Sequence, residues 1–231
     1  MLTNLPDSLI MIFLLTVILT FLLFINAVKN KAATAMVSVI WLAVTGILSF
    51  KGVFQDTSAI PPRLLIVVVP PILFIIILLT TPNGKRFTDS IDLKKLTLVH
   101  IVRVPVEITL FMLSSHKLIP ELMTFAGRNF DILSGITAPI MYLICFKNSL
   151  VKYRTLLLAW NFICLGLLLN IVINALLAAP FPFQQFAFDQ PNIAILYFPF
   201  TWLPCFIVMI VLYSHLAAIR QLTGSQRNKL P

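Results

Sequence analysis

Charged residues are scarce in this chain, and their scarcity excludes an ordinary soluble domain. Lys, Arg, Asp and Glu make up 11% of the 231 residues, whereas 59% are apolar and 19 are Phe. A soluble domain has about a quarter charged residues, and its surface does not accommodate so large an apolar fraction. The composition therefore predicts an integral membrane protein.

Short motifs for nucleotide binding and hydrolysis are also missing. The seven glycines are scattered and form no phosphate-binding loop, and neither Gly-x-Ser-x-Gly nor His-Glu-x-x-His occurs. The last apolar run has no lysine to hold the retinal of a rhodopsin. Cys145, Cys164 and Cys205 lack the paired spacing of zinc and redox sites, so we expect no metal site and no disulfide.

The chain does contain seven apolar runs long enough to form transmembrane helices. About 20 helical residues cross the roughly 30 Å of hydrocarbon in a bilayer. The runs cover about residues 8 to 28, 33 to 54, 64 to 82, 96 to 118, 132 to 147, 155 to 178 and 195 to 218. The fifth is the weakest, since it is short and contains Gly135 and Pro139. We predict an all-α integral membrane protein, a bundle of seven transmembrane helices.

The basic residues predict how this bundle is oriented. With seven spans, one side of the membrane holds twelve of the 17 Lys and Arg and the other side holds four, with Arg103 inside a span. The twelve are Lys29, Lys31, Lys85, Arg86, Lys94, Lys95, Lys147, Lys152, Arg154, Arg220, Arg227 and Lys229. Because cytoplasmic connections are enriched in Lys and Arg, we expect the N-terminus outside and the C-terminus in the cytoplasm.

The connections between the apolar runs are short and carry no Gly/Ser-rich linker. They predict a single transmembrane domain over residues 1–231. The net charge of +9 lies in these connections, so it indicates topology and predicts no nucleic-acid partner. The expected partner is the lipid bilayer of a plasma membrane or a bacterial inner membrane. The oligomeric state does not follow from the sequence.

The fourth predicted span carries polar residues on a single helical face. In HIVRVPVEITLF, residues 100 to 111, His100, Arg103 and Glu107 lie within about 60° of one another at 100° per residue. Glu107 stands about 18 Å along the helix from Lys95, too deep for a short side chain to reach water. A charge at that depth costs about 2.5 to 3.5 kcal/mol. We therefore expect Glu107 to pair with Arg103, to be protonated or to face a wet pocket.

These residues also have structural interpretations. Arg103 could extend its long side chain to the cytoplasmic interface, and a pair with Glu107 could simply fix the register of the helices. His100 is more often a hydrogen-bonded structural residue than a ligand. His100 and His215 lie at similar depth in helices of opposite direction, so haem ligation is conceivable. Since His215 is close to the C-terminal tail, we predict no particular cofactor.

The sixth span supplies amides that the same pocket could use. Asn170 and Asn174 share a face at i, i+4, and Asn170 reaches a depth similar to that of Glu107. Asn161 lies on the opposite side of the helix. Amides often join transmembrane helices by hydrogen bonds, and this pair lines the pocket if spans four and six are neighbours.

Two segments on the outer side are longer than simple turns. PELMTFAGRNFD, residues 120 to 131, is expected to form a short interfacial helix that starts at Pro120. At its end, Arg128 and Asp131 either bind an anion or form a salt bridge. APFPFQQFAFDQPN, residues 179 to 192, carries four Phe and is expected to lie at headgroup level. We interpret both segments either as aromatic anchors or as a lid over an outer cavity.

Together these patterns favour a membrane protein that binds a small anionic or amphipathic ligand, in a receptor-like or transporter-like role. The candidate ligand-binding residues are His100, Arg103, Glu107, Asn170, Asn174, Arg128 and Asp131. One alternative is an enzyme acting on a lipid or isoprenoid, with Glu107 as acid or base near His100. The other is a structural or assembly protein. The lack of a recognisable nucleophile or metal set favours binding over catalysis.

Overall fold

The computed structural model describes residues 5–147 and 150–224, and most of them are helical. The helices are α1 (Asp7–Ala27), α2 (Lys31–Phe50), α3 (Leu65–Thr80), α4 (Pro82–Asp89), α5 (Leu93–Leu98), α6 (Arg103–Ser115), α7 (Ile132–Cys145), α8 (Arg154–Leu177) and α9 (Val208–Gly224). Between α7 and α8, the two-residue strands β1 (Phe146–Lys147) and β2 (Leu150–Val151) pair antiparallel.

Within the described residues, five helical segments are long and apolar enough to cross a membrane. They are Asp7–Ala27, Lys31–Phe50, Leu93–Ser115, Arg154–Leu177 and Leu203–Gly224. The two other predicted spans differ from the expectation. Helix α3 bends by 88° into α4, and α7 has 14 residues, which is about 21 Å of helix and too short for the roughly 30 Å of hydrocarbon.

The bend between α3 and α4 follows from the sequence around Pro82. Pro82 is the first residue of α4 and has no N–H to donate back to α3. The hydroxyl of Thr81 accepts a hydrogen bond from Gly84 N at 3.1 Å and so caps α4. A Cβ on Gly84 would lie 2.5 Å from Leu78 Cα, so glycine allows α4 to fold back against the end of α3.

The segment Leu93–Ser115 is one span built from three pieces. Asp92 caps α5 by accepting from Lys95 N at 3.1 Å, and a 3-10 turn at Val99–Val102 separates α5 from α6. Pro105 in the first turn of α6 has no N–H to donate to the preceding turn, which tightens there. This change of helix type lies next to the polar residues of the span.

Hydrogen bonds between distant segments define two ends of the bundle. At one end, Asp92 N donates to Ala27 O at 2.9 Å, which joins the start of α5 to the end of α1. We call it the basic end, because the connections there carry most of the Lys and Arg. At the opposite end, the hydroxyls of Ser49 and Thr201 are 2.7 Å apart.

The outer faces of the helices are largely apolar. Side chains such as Phe50, Leu143 and Ile163 are at least 65% exposed, and they belong to long stretches of exposed Leu, Ile, Val and Phe. Apolar surfaces of this extent are unusual on a protein surrounded by water. They are compatible with a multi-pass membrane protein.

Candidate functional site: a buried polar cluster

A group of buried polar side chains lies inside the bundle around the start of α6. We call it the polar cluster, and its members are His100, Arg103 and Glu107 from the span Leu93–Ser115, Asn129 and Asp131 from the connection before α7, Asn161 from α8 and His215 from α9. None of them is more than 6% exposed. The cluster therefore draws on four separate parts of the chain.

Arg103 lies at the centre of the cluster. Its Nη1 donates to Asp131 Oδ1 at 2.8 Å and to Cys164 O at 3.3 Å, and its Nη2 donates to His215 Nε2 at 2.9 Å. The side chain is turned inward and does not extend to the interface. No ion pair among the described residues joins Arg103 to Glu107, so the expected pair within one helix is replaced by an ion pair with Asp131.

The hydrogen bonds fix the tautomer of His215. The amide nitrogen of Asn161 donates to Leu157 O at 2.8 Å, which leaves Asn161 Oδ1 facing His215 Nδ1 at 2.8 Å. A guanidinium can only donate, so Nε2 accepts from Arg103 and Nδ1 carries the proton that is donated to Asn161. This arrangement requires a neutral imidazole at His215.

His100 packs against His215 through its ring. The two ring centroids are 3.9 Å apart with an interplanar angle of 18°, and Trp160 meets His100 edge-on at 5.3 Å. In this arrangement the two rings are in direct contact, with no space for a haem between them. Within the described part of the chain, no group of three or more His, Cys, Asp or Glu could hold a metal ion.

Glu107 is tied to the connection before α7 through Asn129. Glu107 Oε1 accepts a hydrogen bond from Asn129 Nδ2. The same nitrogen donates to Met123 O at 3.0 Å, and Asn129 Oδ1 accepts from Asp131 N at 3.0 Å. Asn129 therefore links the Glu107 carboxylate to the backbone N–H of Asp131, and no sequence pattern had assigned it to the site.

The connection between α6 and α7 differs from the interfacial helix expected at residues 120 to 131. It contains only a 3-10 turn at Glu121–Met123, and Thr124, Asn129 and Asp131 are buried. Near the end of the connection, Asn129 bonds Glu107 in the middle of α6, and Asp131 bonds Arg103 at its start. The connection therefore runs back into the bundle along α6.

Three predicted site residues lie outside the polar cluster. Asn170 is exposed on α8 and donates to Arg128 O at 3.0 Å, and Asn174 donates to Asn170 O at 2.9 Å. The Arg128 side chain is exposed, and no salt bridge among the described residues joins it to Asp131. The inward amide of α8 is Asn161, the one expected on the opposite side. Leucines surround α8 on every face, so no amphipathic pattern indicated which side turns inward.

Several buried polar atoms of this region have no hydrogen-bond partner among the described residues. They are His100 Nδ1, Arg103 Nε and Glu107 Oε2, together with Ser134 Oγ on the neighbouring α7. Most buried polar atoms in proteins have a partner. Two cavities, of about 660 and 340 Å³, lie elsewhere on the bundle, and no cluster residue lines either of them.

The fold and the site thus define a helical protein with apolar outer faces around a charged and amide-rich interior. Residues 60–223 match the model of a protein family described as "Domain of unknown function (DUF8737)". The match covers more than half of the chain, so the chain belongs to this family, and the matched range contains the whole polar cluster. Comparisons with curated proteins and with solved structures give no match.

Proposed function

We propose that this chain binds a small anionic or amphipathic ligand at the polar cluster, in a receptor-like or transporter-like role. One observation carries the proposal: His100, Arg103 and Glu107 each keep a buried polar atom that has no partner among the described residues. Leaving such an atom unsatisfied costs about 1 to 3 kcal/mol. A ligand oxygen would accept from Arg103 Nε, and Glu107 Oε2 would accept from a donor group on the ligand.

We further propose that the chain crosses a plasma membrane or a bacterial inner membrane seven times, with the N-terminus outside and the C-terminus in the cytoplasm. The bent pair α3 and α4 would make the third pass. The fifth pass would combine α7 with the connection that descends before it. The concentration of Lys and Arg at the basic end supports a cytoplasmic location for that end.

A purely structural role is the second candidate, and the bonding of Arg103 favours it. Both terminal nitrogens of Arg103 are engaged, and both ring nitrogens of His215 are bonded. A network of side chains bonded to one another in this way can hold several helices in one arrangement without binding anything. In that case the polar cluster serves assembly.

The two candidates differ in what Glu107→Gln does. The protein is purified in mild detergent as wild type, as Glu107→Gln and as Thr109→Val, and small molecules that purify with it are identified by mass spectrometry. Thr109 is the matched control, since it is buried on the same helix and, among the described residues, its hydroxyl bonds only Pro105 O of that helix. We expect a small molecule on the wild type and on Thr109→Val that Glu107→Gln fails to retain.

The opposite result would favour the structural role. If all three proteins carry the same small molecules and Glu107→Gln unfolds at a higher temperature than the wild type, the carboxylate serves no ligand. A buried charge that serves only the arrangement of the helices can often be replaced by a neutral group without loss of stability.

A further inference from the structure

The larger cavity, of about 660 Å³, separates part of α2 from the rest of the bundle. Its walls come from α1, α2, α3 and the span Leu203–Gly224, and most of the lining is apolar, for example Phe24, Pro70, Phe74, Phe206 and Met209. The volume lies within the range of about 300 to 1,000 Å³ found for ligand sites. No residue of the polar cluster lines the cavity.

The cavity exists because α2 packs against the rest of the bundle mainly through its C-terminal half. The buried residues of α2 are Thr45, Gly46 and Ser49, and Ser49 bonds Thr201 across the opposite end. Trp41 marks the limit of this contact, where its Nε1 donates to Cys205 O at 3.0 Å. No residue from 31 to 44 is buried, so this half of α2 stands away from α3 and α9.

The half of α2 that stands away turns a polar stripe toward the cavity. Asn30, Thr34 and Ser38 follow i, i+4, i+8 spacing and all line it. Thr34 Oγ1 donates to Asn30 O at 2.9 Å. The cavity is thus apolar at the α3 and α9 walls and polar along one edge, which suits an amphipathic occupant.

Four basic residues are close sequence neighbours of residues that line the cavity at the basic end. Lys29 and Lys31 flank Asn30, and Lys85 and Arg86 directly precede Phe87, another lining residue. Lys29, Lys31 and Arg86 are exposed, and Lys85 is half-buried. The acidic residue that follows them in α4, Asp89, is paired with Arg220 at 2.8 Å. Among the described residues, none of these four cations forms a salt bridge, so this end of the cavity lies next to unpaired positive charge.

We propose that this cavity and its basic mouth bind one anionic phospholipid of the cytoplasmic leaflet. An acyl chain lies among Phe74, Phe206 and Met209, and the phosphate contacts the lysines at the mouth. Basic pockets between membrane helices on the cytoplasmic side favour anionic headgroups over neutral ones. This inference requires that the chain lies in a membrane, but it does not require a ligand at the polar cluster.

The test measures lipid binding to the purified full chain by native mass spectrometry, with phosphatidylglycerol and phosphatidylcholine of identical acyl chains as probes. The triple variant Lys29→Gln, Lys31→Gln, Lys85→Gln removes charge at the mouth. The triple variant Lys94→Gln, Lys95→Gln, Lys152→Gln removes the same charge from α5 and from the segment before α8, which contribute no residue to the lining of the cavity, and it is the control. We expect the first variant to lose at least about tenfold in affinity for phosphatidylglycerol, and the control to keep wild-type affinity.

Ser38→Trp tests the cavity itself, because its ring would occupy the space for the acyl chain. We expect it to weaken the binding of both lipids while the protein stays folded, as judged by its thermal unfolding. Equal affinity of the wild type for the two lipids would overturn the proposal, and so would equal losses in the two triple variants. A dimer that Ser38→Trp dissociates, with lipid binding unchanged, would assign the cavity to a second copy of the chain. Glu107→Gln should leave this lipid binding intact.

Discussion

At the scale of single residues, Arg103 determines how the polar cluster is held together. Its guanidinium joins Asp131 before α7, the backbone of α8 at Cys164 and the ring of His215 on α9. Burying a charge costs several kcal/mol, and a close partner of opposite charge offsets much of this cost. Removal of the Asp131 carboxylate should therefore lower the stability of the protein by more than the number of its contacts suggests.

Asp131→Asn should strongly destabilise the protein. The substitution keeps the size of the side chain but leaves Arg103 as a buried charge without a counter-charge, which typically costs about 3 to 5 kcal/mol. Thermal unfolding in detergent measures the effect. The double variant Arg103→Met, Asp131→Leu should recover part of the lost stability, since it removes both charges.

The control is Asp56→Asn. Asp56 pairs with Arg63 at 2.7 Å, but the two side chains are 37% and 48% exposed. The pKa of Asp56 lies below its ordinary value, chiefly because the Ser58 hydroxyl donates to its carboxylate. A solvated ion pair contributes at most about 1 kcal/mol. Equal loss of stability in Asp56→Asn and Asp131→Asn would contradict the central role of the Arg103 pair.

The sequence predicted part of the polar cluster because depth along a helix follows from residue count. It indicated that His100, Arg103 and Glu107 share one face and that Glu107 is far from water. It could not indicate the partners, since Asp131 and Asn129 reach them through a connection whose path depends on tertiary packing. The choice of Asn170 over Asn161 differed from the structure for the same reason: leucines on all sides of α8 hide its inward face.

At the scale of elements, the close approach of α7 to α6 places Asp131 beside Arg103. A Cβ on Gly135 would lie 2.8 Å from Val104 Cγ2 and 3.0 Å from Val104 N. The absence of a side chain at this position lets the two helices meet near their first turns. Such contacts through small residues are common where membrane helices pack tightly.

Gly135→Ala should force α7 away from α6 and destabilise the protein by about 1 to 3 kcal/mol, the usual range for overpacking. The matched control is Gly166→Ala on α8, where an added Cβ would meet nothing within 4 Å among the described residues. Alanine favours a helix over glycine by about 1 kcal/mol, so the control should be neutral or more stable. Thermal unfolding of both variants gives the comparison, and a stabilised Gly135→Ala would refute the close packing of α6 and α7.

The apolar runs in the sequence predicted the positions of the helices well. They were a poorer guide to how many helices are long enough to span a membrane. Helices α1, α2 and α8 begin and end within a few residues of the expected bounds. The third run turns sharply before Pro82, and α7 starts only after the chain has already descended into the bundle. Hydrophobicity reports whether a residue avoids water, and it does not distinguish a helix from an irregular segment buried beside one.

At the scale of the whole molecule, charge is distributed unevenly between the two ends of the bundle. Among the described residues, the connections that meet at the basic end include the turn between α1 and α2 and the helix α4. The opposite end includes the connection between α2 and α3. A membrane protein with this distribution is expected to keep its basic end in the cytoplasm.

Single cysteines at the two ends test this orientation in intact cells. Ser58→Cys lies in the exposed connection between α2 and α3, and Asn83→Cys lies on the exposed side of α4. The native Cys145, Cys164 and Cys205 are buried, so their background labelling should be low. A maleimide that does not cross membranes should label Ser58→Cys in intact cells and Asn83→Cys only after permeabilisation. The reverse labelling pattern would show that the basic end faces the outside of the cell. It would also place the lysines near the mouth of the α2 cavity at the outer leaflet.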